Sequence, residues 1–241
     1  MTRPTVPALI LAAGLVLGGL AVGLGFARGR SAERFVTVKG VSEREVRADL
    51  AIWPLRMVAA SNDLAQASAT LRQAEAAVRA FLAEQGIDSS QVTAQDFSAS
   101  DAFANQYGGN VTTRYALRQT LVVRSTDPER VLRASGRVAE LVQAGVVLSS
   151  GQEYAPNAGP TFLFTGLNDV KGPMIAEATA RAREAAEQFA NDAGAGIGGI
   201  RRANQGVFEI LPRDQAAGIS EESQVVKRVR VVTTVEYGLA N

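Results

Sequence analysis

The pattern of apolar and polar residues predicts three helices after the N-terminal segment. The first covers about residues 62–85, where apolar side chains recur at steps of three and four. The second covers about residues 127–145 and begins with an aspartate cap followed by proline at the first helical position. The third covers about residues 168–193. A glycine in position to end the helix follows each of them: Gly86, Gly145 and Gly194.

The third predicted helix is amphipathic, with a stripe dominated by small side chains on one face. Small side chains let a helix approach a sheet closely, so we expect this stripe to be a packing surface. The predicted buried stripe consists of Ile175, Ala178, Ala182, Ala185, Phe189 and Ala193, and the predicted solvent-facing stripe of Glu177, Arg181, Glu184 and Gln188.

Segments rich in β-branched residues lie between the helices and predict strands. Residues 35–46 predict one strand that Gly40 interrupts, and Ala48-Asp49 turns the chain into a second strand over residues 50–59. Further strands are predicted over residues 91–103, 112–124, 146–154, 160–164, 200–210 and 225–237. The polar residues 213–224 are predicted to be a mobile connector. Because hairpins alternate with helices, the sequence predicts an α+β fold with a largely antiparallel sheet packed by about three helices.

An uncharged apolar run spans residues 4–27. About 20 apolar residues are enough to cross a bilayer as a helix, and the run is longer than the roughly 7 to 15 residues of a signal-peptide core. We therefore predict that residues 8–27 contact the lipid bilayer, within a transmembrane anchor or alternatively a cleaved signal peptide over residues 1–30. One domain is predicted over residues 31–241. Arginines follow the run, and positive charge favours the cytoplasmic side of a membrane. By this rule alone, the residues after the run would face the cytoplasm and would not be exported.

The composition excludes several classes of function. The chain contains no His and no Cys, so a Ser or Cys nucleophile has no imidazole partner and structural zinc has none of its usual ligands. Its formal net charge of +1 gives no strong field that would attract nucleic acid. We therefore predict that the protein is not an enzyme, that it has no catalytic, cofactor-binding or metal-binding residues, and that it needs no cofactor.

Carboxylate pairs and lysines are the remaining routes to catalysis. Asp96 with Asp101 and Glu43 with Asp49 are the pairs considered for acid–base chemistry, although alternation along strands favours solvated faces for all four. None of the lysines that could assist a serine lies in a recognisable motif: Lys39, Lys171 and Lys227.

Three further features allow two interpretations each. The glycine-rich residues 194–199 follow a predicted helix instead of preceding one, so they predict a helix end and not a dinucleotide site. Trp53 is predicted to pack in the core, with an interface anchor as the alternative. Residues 227–230 place three basic side chains at the start of the last strand, and they predict an exposed sheet edge protected by charge, with headgroup contact as the alternative.

Four segments carry a resemblance to a known family. They are residues 38–53 (VKGVSEREVRADLAIW), 164–171, 174–190 and 229–237. Together they resemble the SIMPL-domain family of bacterial envelope proteins, and within it the anchor-bearing predicted periplasmic branch. The family often has Pro-Asp where this chain has Ala48-Asp49. The resemblance implies an exported α+β domain, often oligomeric, with a poorly defined function loosely linked to envelope stress, and it supplies no catalytic residues.

These observations lead to one functional hypothesis and two alternatives. The hypothesis is a single-pass protein of the bacterial inner membrane whose C-terminal domain lies in the periplasm, where it acts as a non-catalytic, homo-oligomeric scaffold or interaction module. The first alternative is a carrier of a small apolar ligand. The second is a carboxylate-based hydrolase, which would require two converging carboxylates in a deep pocket.

Overall fold

The computed structural model describes residues 12–23, 34–104, 112–149 and 159–240. The strands in these ranges are β1 (Phe35–Arg47), β2 (Leu50–Ser61), β3 (Val92–Asp101), β4 (Tyr115–Ser125), β5 (Thr161–Leu163), β6 (Gly196–Gln205), β7 (Glu209–Pro212) and β8 (Val226–Ala240). The helices are α1 (residues 12–23), α2 (Leu64–Glu84), α3 (Pro128–Ser135), α4 (Ala139–Gln143) and α5 (Leu167–Asp192). The fold is α+β with antiparallel pairing, so this part of the predicted fold class is confirmed. The described residues form two sheets and five helices, where one sheet and about three helices were predicted.

The chain divides into two compact units. The small unit contains the described residues within 1–40, 178–205 and 233–241, and the large unit contains those within 41–177 and 206–232. The strands β1 and β8 and the helix α5 contribute residues to both units. The domain boundary predicted at residue 31 lies outside the described residues.

The core of the large unit lies between α2 and a sheet with the strand order β3-β4-β2-β5. Strand β2 buries every second side chain from Ala51 to Ala59, as expected when one face of a strand packs against a helix. Trp53 lies in this core with 1% of its side chain exposed, so the prediction of core packing is confirmed. Helix α2 begins after Asp63, whose side chain accepts hydrogen bonds from the amides of Ala65 and Gln66.

The second predicted helix consists of two short helices, α3 and α4, so the prediction of one continuous helix is wrong. The predicted cap is confirmed, because Asp127 accepts a hydrogen bond from the amide of Arg130. The helix ends early at Ser135-Gly136, where the hydroxyl of Ser135 donates to the carbonyl of Leu132 at 2.8 Å. A serine that bonds the backbone, followed by a glycine, weakens a helix enough for tertiary packing to interrupt it.

Strand boundaries differ from prediction in two places. Residues 200–210 form two strands instead of one, since β6 begins at Gly196 and ends before Gly206. A Cβ on Gly206 would overlap the carbonyl oxygen of Val232, so this glycine lets the chain leave β6 close to β8. In the predicted strand over residues 146–154, the described contact is a single bridge between Leu148 and Met57, and residues 150–158 lie outside the described residues. Residues 105–111, which connect the predicted strands over residues 91–103 and 112–124, also lie outside them.

In the small unit, α5 packs on β1 and β8 through alanines spaced four residues apart. The side chains of Ala178, Ala182, Ala186 and Ala190 are at most 1% exposed. The predicted stripe was partly wrong, because Phe189 is 60% exposed and Ala185 is only partly buried. Ile175 is also only partly buried, and Ala193 is exposed. Strand β1 approaches α5 most closely at Gly40. It therefore covers a single line of small side chains on the helix and leaves the other residues of the predicted stripe uncovered.

The predicted transmembrane segment falls partly on α1. Every residue of α1 is exposed. Among the helices that the structure describes, none is long and apolar enough to span a membrane. The rest of the predicted segment, residues 8–11 and 24–27, lies outside the described residues.

Candidate functional site

The most exposed part of the small unit's sheet is β6. This strand is the last in the order β1-β8-β6, and nine of its ten residues are exposed. Its pairing with β8 shifts register twice, between Ile197 and Ile200 and again before Arg202, and it is regular from Arg202 to Gln205. Within the described residues, β6 is therefore hydrogen-bonded on one side only, and its regular part offers a free edge of four residues.

The free amides of this edge can be assigned from the ladder. The amide of Gly206 donates to the carbonyl of Val232 at 2.9 Å. Because hydrogen bonding alternates along an antiparallel pair, the amide of Asn204 also faces β8. By the same alternation, the amides of Ala203 and Gln205 point away from β8. These two donors are available to another strand.

Side chains near this edge are partly apolar and partly charged. Ile200 on β6 is 51% exposed, and Phe35, which is 52% exposed, lies across β8 on β1. The guanidinium of Arg201 lies 5.4 Å from the centre of the Phe35 ring, and its Nε atom lies 3.7 Å from an oxygen of Glu236. The charge of Arg201 is thus partly neutralised within the unit, which lowers the repulsion that a charged edge strand would otherwise present.

The basic residues at the start of β8 do not form an exposed edge, so that prediction is wrong. Strand β8 lies inside its sheet, and Lys227 is 0% exposed. The Nζ atom of Lys227 donates to a carboxylate oxygen of Glu221 at 2.6 Å and to the main-chain carbonyl of the same residue. A lysine is tolerated in such a position because a carboxylate and a carbonyl replace its water.

The same ion pair fixes one end of the polar connector over residues 213–224, which was predicted to be mobile. Its last residue, Gln224, uses its side chain to bond the main-chain nitrogen and oxygen of Asp214, at 3.2 and 2.9 Å. The connector also contains a short 3₁₀ helix, Glu221–Ser223. Side-chain hydrogen bonds therefore join the two ends of the connector. The polar composition of the segment does not predict these bonds.

The four carboxylates considered for acid–base chemistry have different environments. Asp101 binds the guanidinium of Arg114 at 3.0 Å, and this hydrogen bond holds the pKa of the Asp101 carboxyl below its ordinary value. Glu43 lies 3.4 Å from Nε of Arg230. Asp96 lies at a register irregularity of β3 with φ of 53°. Each carboxylate thus has its own surroundings, and neither proposed pair forms a shared site.

Asp49 has a structural role that the sequence interpretation missed. Its carboxylate accepts hydrogen bonds from the amide and hydroxyl of Thr165 and from the amide of Gly166, at 2.9 to 3.1 Å. The neighbouring amide of Ala48 donates to the carbonyl of Val225 at 2.7 Å. The turn between β1 and β2 is thereby fixed to the residues before α5. The sequence indicated a turn at Ala48-Asp49. It did not indicate the hydrogen-bond donor to Asp49, because Thr165 lies 116 residues further along the chain.

The lysines and the glycine run have structural partners as well. Lys171 donates to the side-chain oxygen of Asn168 at 3.0 Å, and Lys39 is exposed. Gly194 has φ of 64° and follows α5, so the interpretation of residues 194–199 as a helix end leading into a strand is confirmed. Across the ranges that the structure describes, no group of three or more acidic side chains is placed to hold a metal ion.

Comparison with known proteins identifies the family. Residues 36–237 match the SIMPL family, described as a protein of unknown function (DUF541), and the chain therefore belongs to this family. No curated protein sequence matches the chain. Among solved structures, the chain is similar to the regulatory subunit of aspartate kinase from Thermus flavus, with 15% sequence identity and a TM-score of 0.16 over 82% of this chain and 89% of that one. A TM-score this low supports no argument about fold or function.

Proposed function

We propose that the protein is a non-catalytic scaffold that self-associates through the free edge of β6 and is anchored to the inner membrane with its domain in the periplasm. The observation that carries the proposal is the one-sided pairing of β6, together with its exposure along nearly its whole length. A free strand edge gains main-chain hydrogen bonds when another strand pairs with it. A second copy of the same chain supplies such a strand with matched geometry.

Features around the edge support pairing with another copy. Arg201 has Glu236 as a partner within its own unit, and Ile200 provides exposed apolar surface on the edge strand itself. The register irregularities of β6 lie before Arg202, so they leave the four residues up to Gln205 available for regular pairing. The family resemblance points in the same direction, because related envelope proteins are often oligomeric.

Sedimentation of the full-length chain in a non-ionic detergent tests this proposal. We expect a mass above that of the monomer at micromolar concentration. Ala203→Pro removes an outward amide without removing a bond to β8, and proline is tolerated at such edge positions. We therefore expect this variant to weaken self-association by about tenfold or more, which corresponds to about 1.4 kcal/mol.

Ala203→Val is the matched control, because valine changes the side chain but keeps the amide. It should associate as the natural chain does. A natural chain that is monomeric in detergent would contradict the scaffold proposal and favour the ligand-carrier alternative. Association that Ala203→Pro leaves unchanged would assign the interface to another surface, such as the G-x-x-x-G spacings at residues 14–18 and 19–23.

The anchor is a separate part of the proposal and has its own test. It is supported by the apolar run over residues 8–27 and by the resemblance to the anchor-bearing branch of the family. We expect a reporter that is active only after export to be active when fused after Asn241, and the mature protein to begin at or near Met1. Reporter activity confined to the cytoplasm would reverse the topology, and an amino terminus near Ser31 would indicate cleavage.

A further inference from the structure

A concavity of about 390 Å³ lies on the sheet of the large unit. Its lining includes two arginines, one carboxylate and two hydroxyls: Arg56, Arg118, Asp96, Ser98 and Thr120. Trp53, Leu55 and Met57 of β2 face the core beneath α2, so the alternating residue Arg56 faces the opposite side of the sheet. The concavity thus lies on the face of the sheet that points away from the apolar core of the large unit.

The register of the sheet brings the two arginines together. Arg56 on β2 lies opposite Thr120 on β4, and Arg118 on β4 lies opposite both Val58 on β2 and Ser98 on β3. Arg118 precedes Thr120 by two residues, so the two arginines are diagonal neighbours on one face, about 7 Å apart at Cβ. Thr120 is 6% exposed and forms part of the floor.

Neither arginine has a partner among the residues that the structure describes. This contrasts with arginines elsewhere in the large unit, such as Arg114 with Asp101 and Arg137 with Glu140. Arginines that are diagonal neighbours on one face carry like charges that repel each other, and Arg56 is half-buried, where its charge is less well hydrated. An anion placed between them would remove the repulsion and give both groups hydrogen-bond acceptors.

We propose that this concavity binds a phosphate group, carried either by a small soluble anion or by a lipid headgroup. Guanidinium groups bind phosphate oxygens through paired, charge-assisted hydrogen bonds, and the hydroxyls of Ser98 and Thr120 provide further donors. The carboxylate of Asp96 at the rim opposes anion binding. Removing this carboxylate should therefore increase the affinity for an anion, and the direction of this change can be tested.

Calorimetric titration of the full-length chain in a non-ionic detergent tests the site, with glycerol 3-phosphate as the probe. We expect saturable binding of one probe molecule per chain. Arg118→Gln and Arg56→Gln should each weaken binding by about tenfold or more, because each removes a charged hydrogen-bond donor. Arg118 is exposed, so Arg118→Gln is the variant that keeps the fold if Arg56→Gln does not, and thermal unfolding of each variant checks this.

Two further variants distinguish binding at a defined site from non-specific electrostatic attraction of the anion. Arg124→Gln is the matched control, since Arg124 lies on the same face of β4, opposite Ile52, and is not part of the lining. It should leave the affinity unchanged. Asp96→Asn should strengthen binding about threefold to tenfold, and asparagine tolerates the positive φ of this position.

Competition distinguishes the two sources of phosphate. The ligand is a lipid headgroup if mixed micelles that contain phosphatidylglycerol displace the probe at a lower phosphate concentration than free glycerol 3-phosphate does. If the micelles do not, the ligand is a soluble phosphate compound. Either result supports the site. The proposal is overturned if the probe does not bind, if Arg118→Gln binds it as the natural chain does, or if Arg124→Gln loses binding equally. It does not depend on the self-association of β6.

Discussion

Replacing Gly40 with alanine is expected to destabilise the protein by about 3 kcal/mol, because β1 passes too close to α5 for a side chain. A Cβ at this position would overlap the carbonyl oxygen of Ala178 and lie 2.6 Å from the amide nitrogen of Ala182. Both atoms belong to the main chain of a helix, so neither can move without displacing the helix. Urea unfolding of the full-length chain in non-ionic detergent, followed by far-ultraviolet circular dichroism, measures the loss.

Gly199→Ala is the matched control for this substitution. Gly199 is also a strand glycine of the small unit, but a Cβ there meets no atom within 4 Å. We expect its free energy of unfolding to change by less than about 0.5 kcal/mol. If the two variants lose the same stability, β1 and α5 are not in the close contact described above.

The second large effect is expected for Glu221→Gln, which should destabilise the protein by about 3 to 5 kcal/mol. The substitution leaves the ammonium group of Lys227 buried without an opposite charge, and an uncompensated buried charge is costly. The main-chain carbonyl of residue 221 and the amide oxygen of the new side chain would remain as acceptors, but neither carries a negative charge. Denaturant unfolding under the same conditions measures the change.

Three companion variants show whether the buried charge is the cause. Glu222→Gln removes the adjacent exposed carboxylate, and it should change stability by less than about 0.5 kcal/mol. Lys227→Met removes the charge but keeps most of the volume, so it should cost less than Glu221→Gln. Combining Lys227→Met with Glu221→Gln should recover stability relative to Glu221→Gln alone. A double variant that is no more stable than Glu221→Gln would show that the ammonium group is not the source of the loss.

Local signals were enough to predict where most elements begin and end. The caps at Asp63 and Asp127 mark helix starts, and Gly86, Gly145 and Gly194 have φ of 75°, 82° and 64° where glycines were expected to follow helices. Helix caps and periodic burial depend on residues close in sequence, so these features can be predicted without the tertiary structure. The same reasoning applies to β2, in which buried and partly buried residues alternate along the strand.

Predictions of burial failed where a distant segment decides which face is covered. The buried face of α5 follows a line of residues spaced by four, because Gly40 of β1 approaches that line and leaves Phe189 exposed. Lys227 looked like an edge residue because its own neighbours are basic. Strands on both sides of β8 and the carboxylate of Glu221 place it in the interior instead.

The sequence by itself determined the fold class and most helix and strand positions, because periodicity, caps and turn glycines act over a few residues. The family followed separately, from the segments that resemble SIMPL proteins and from the match over residues 36–237. The tertiary structure alone decided which charged side chains meet. Arg56 and Arg118 are separated by more than sixty residues and become neighbours only through the register of β2 and β4. Asp49 likewise finds its donors at Thr165 and Gly166 only after the sheet has formed. Such pairings depend on strand register and chain crossing, which no local pattern of residues specifies.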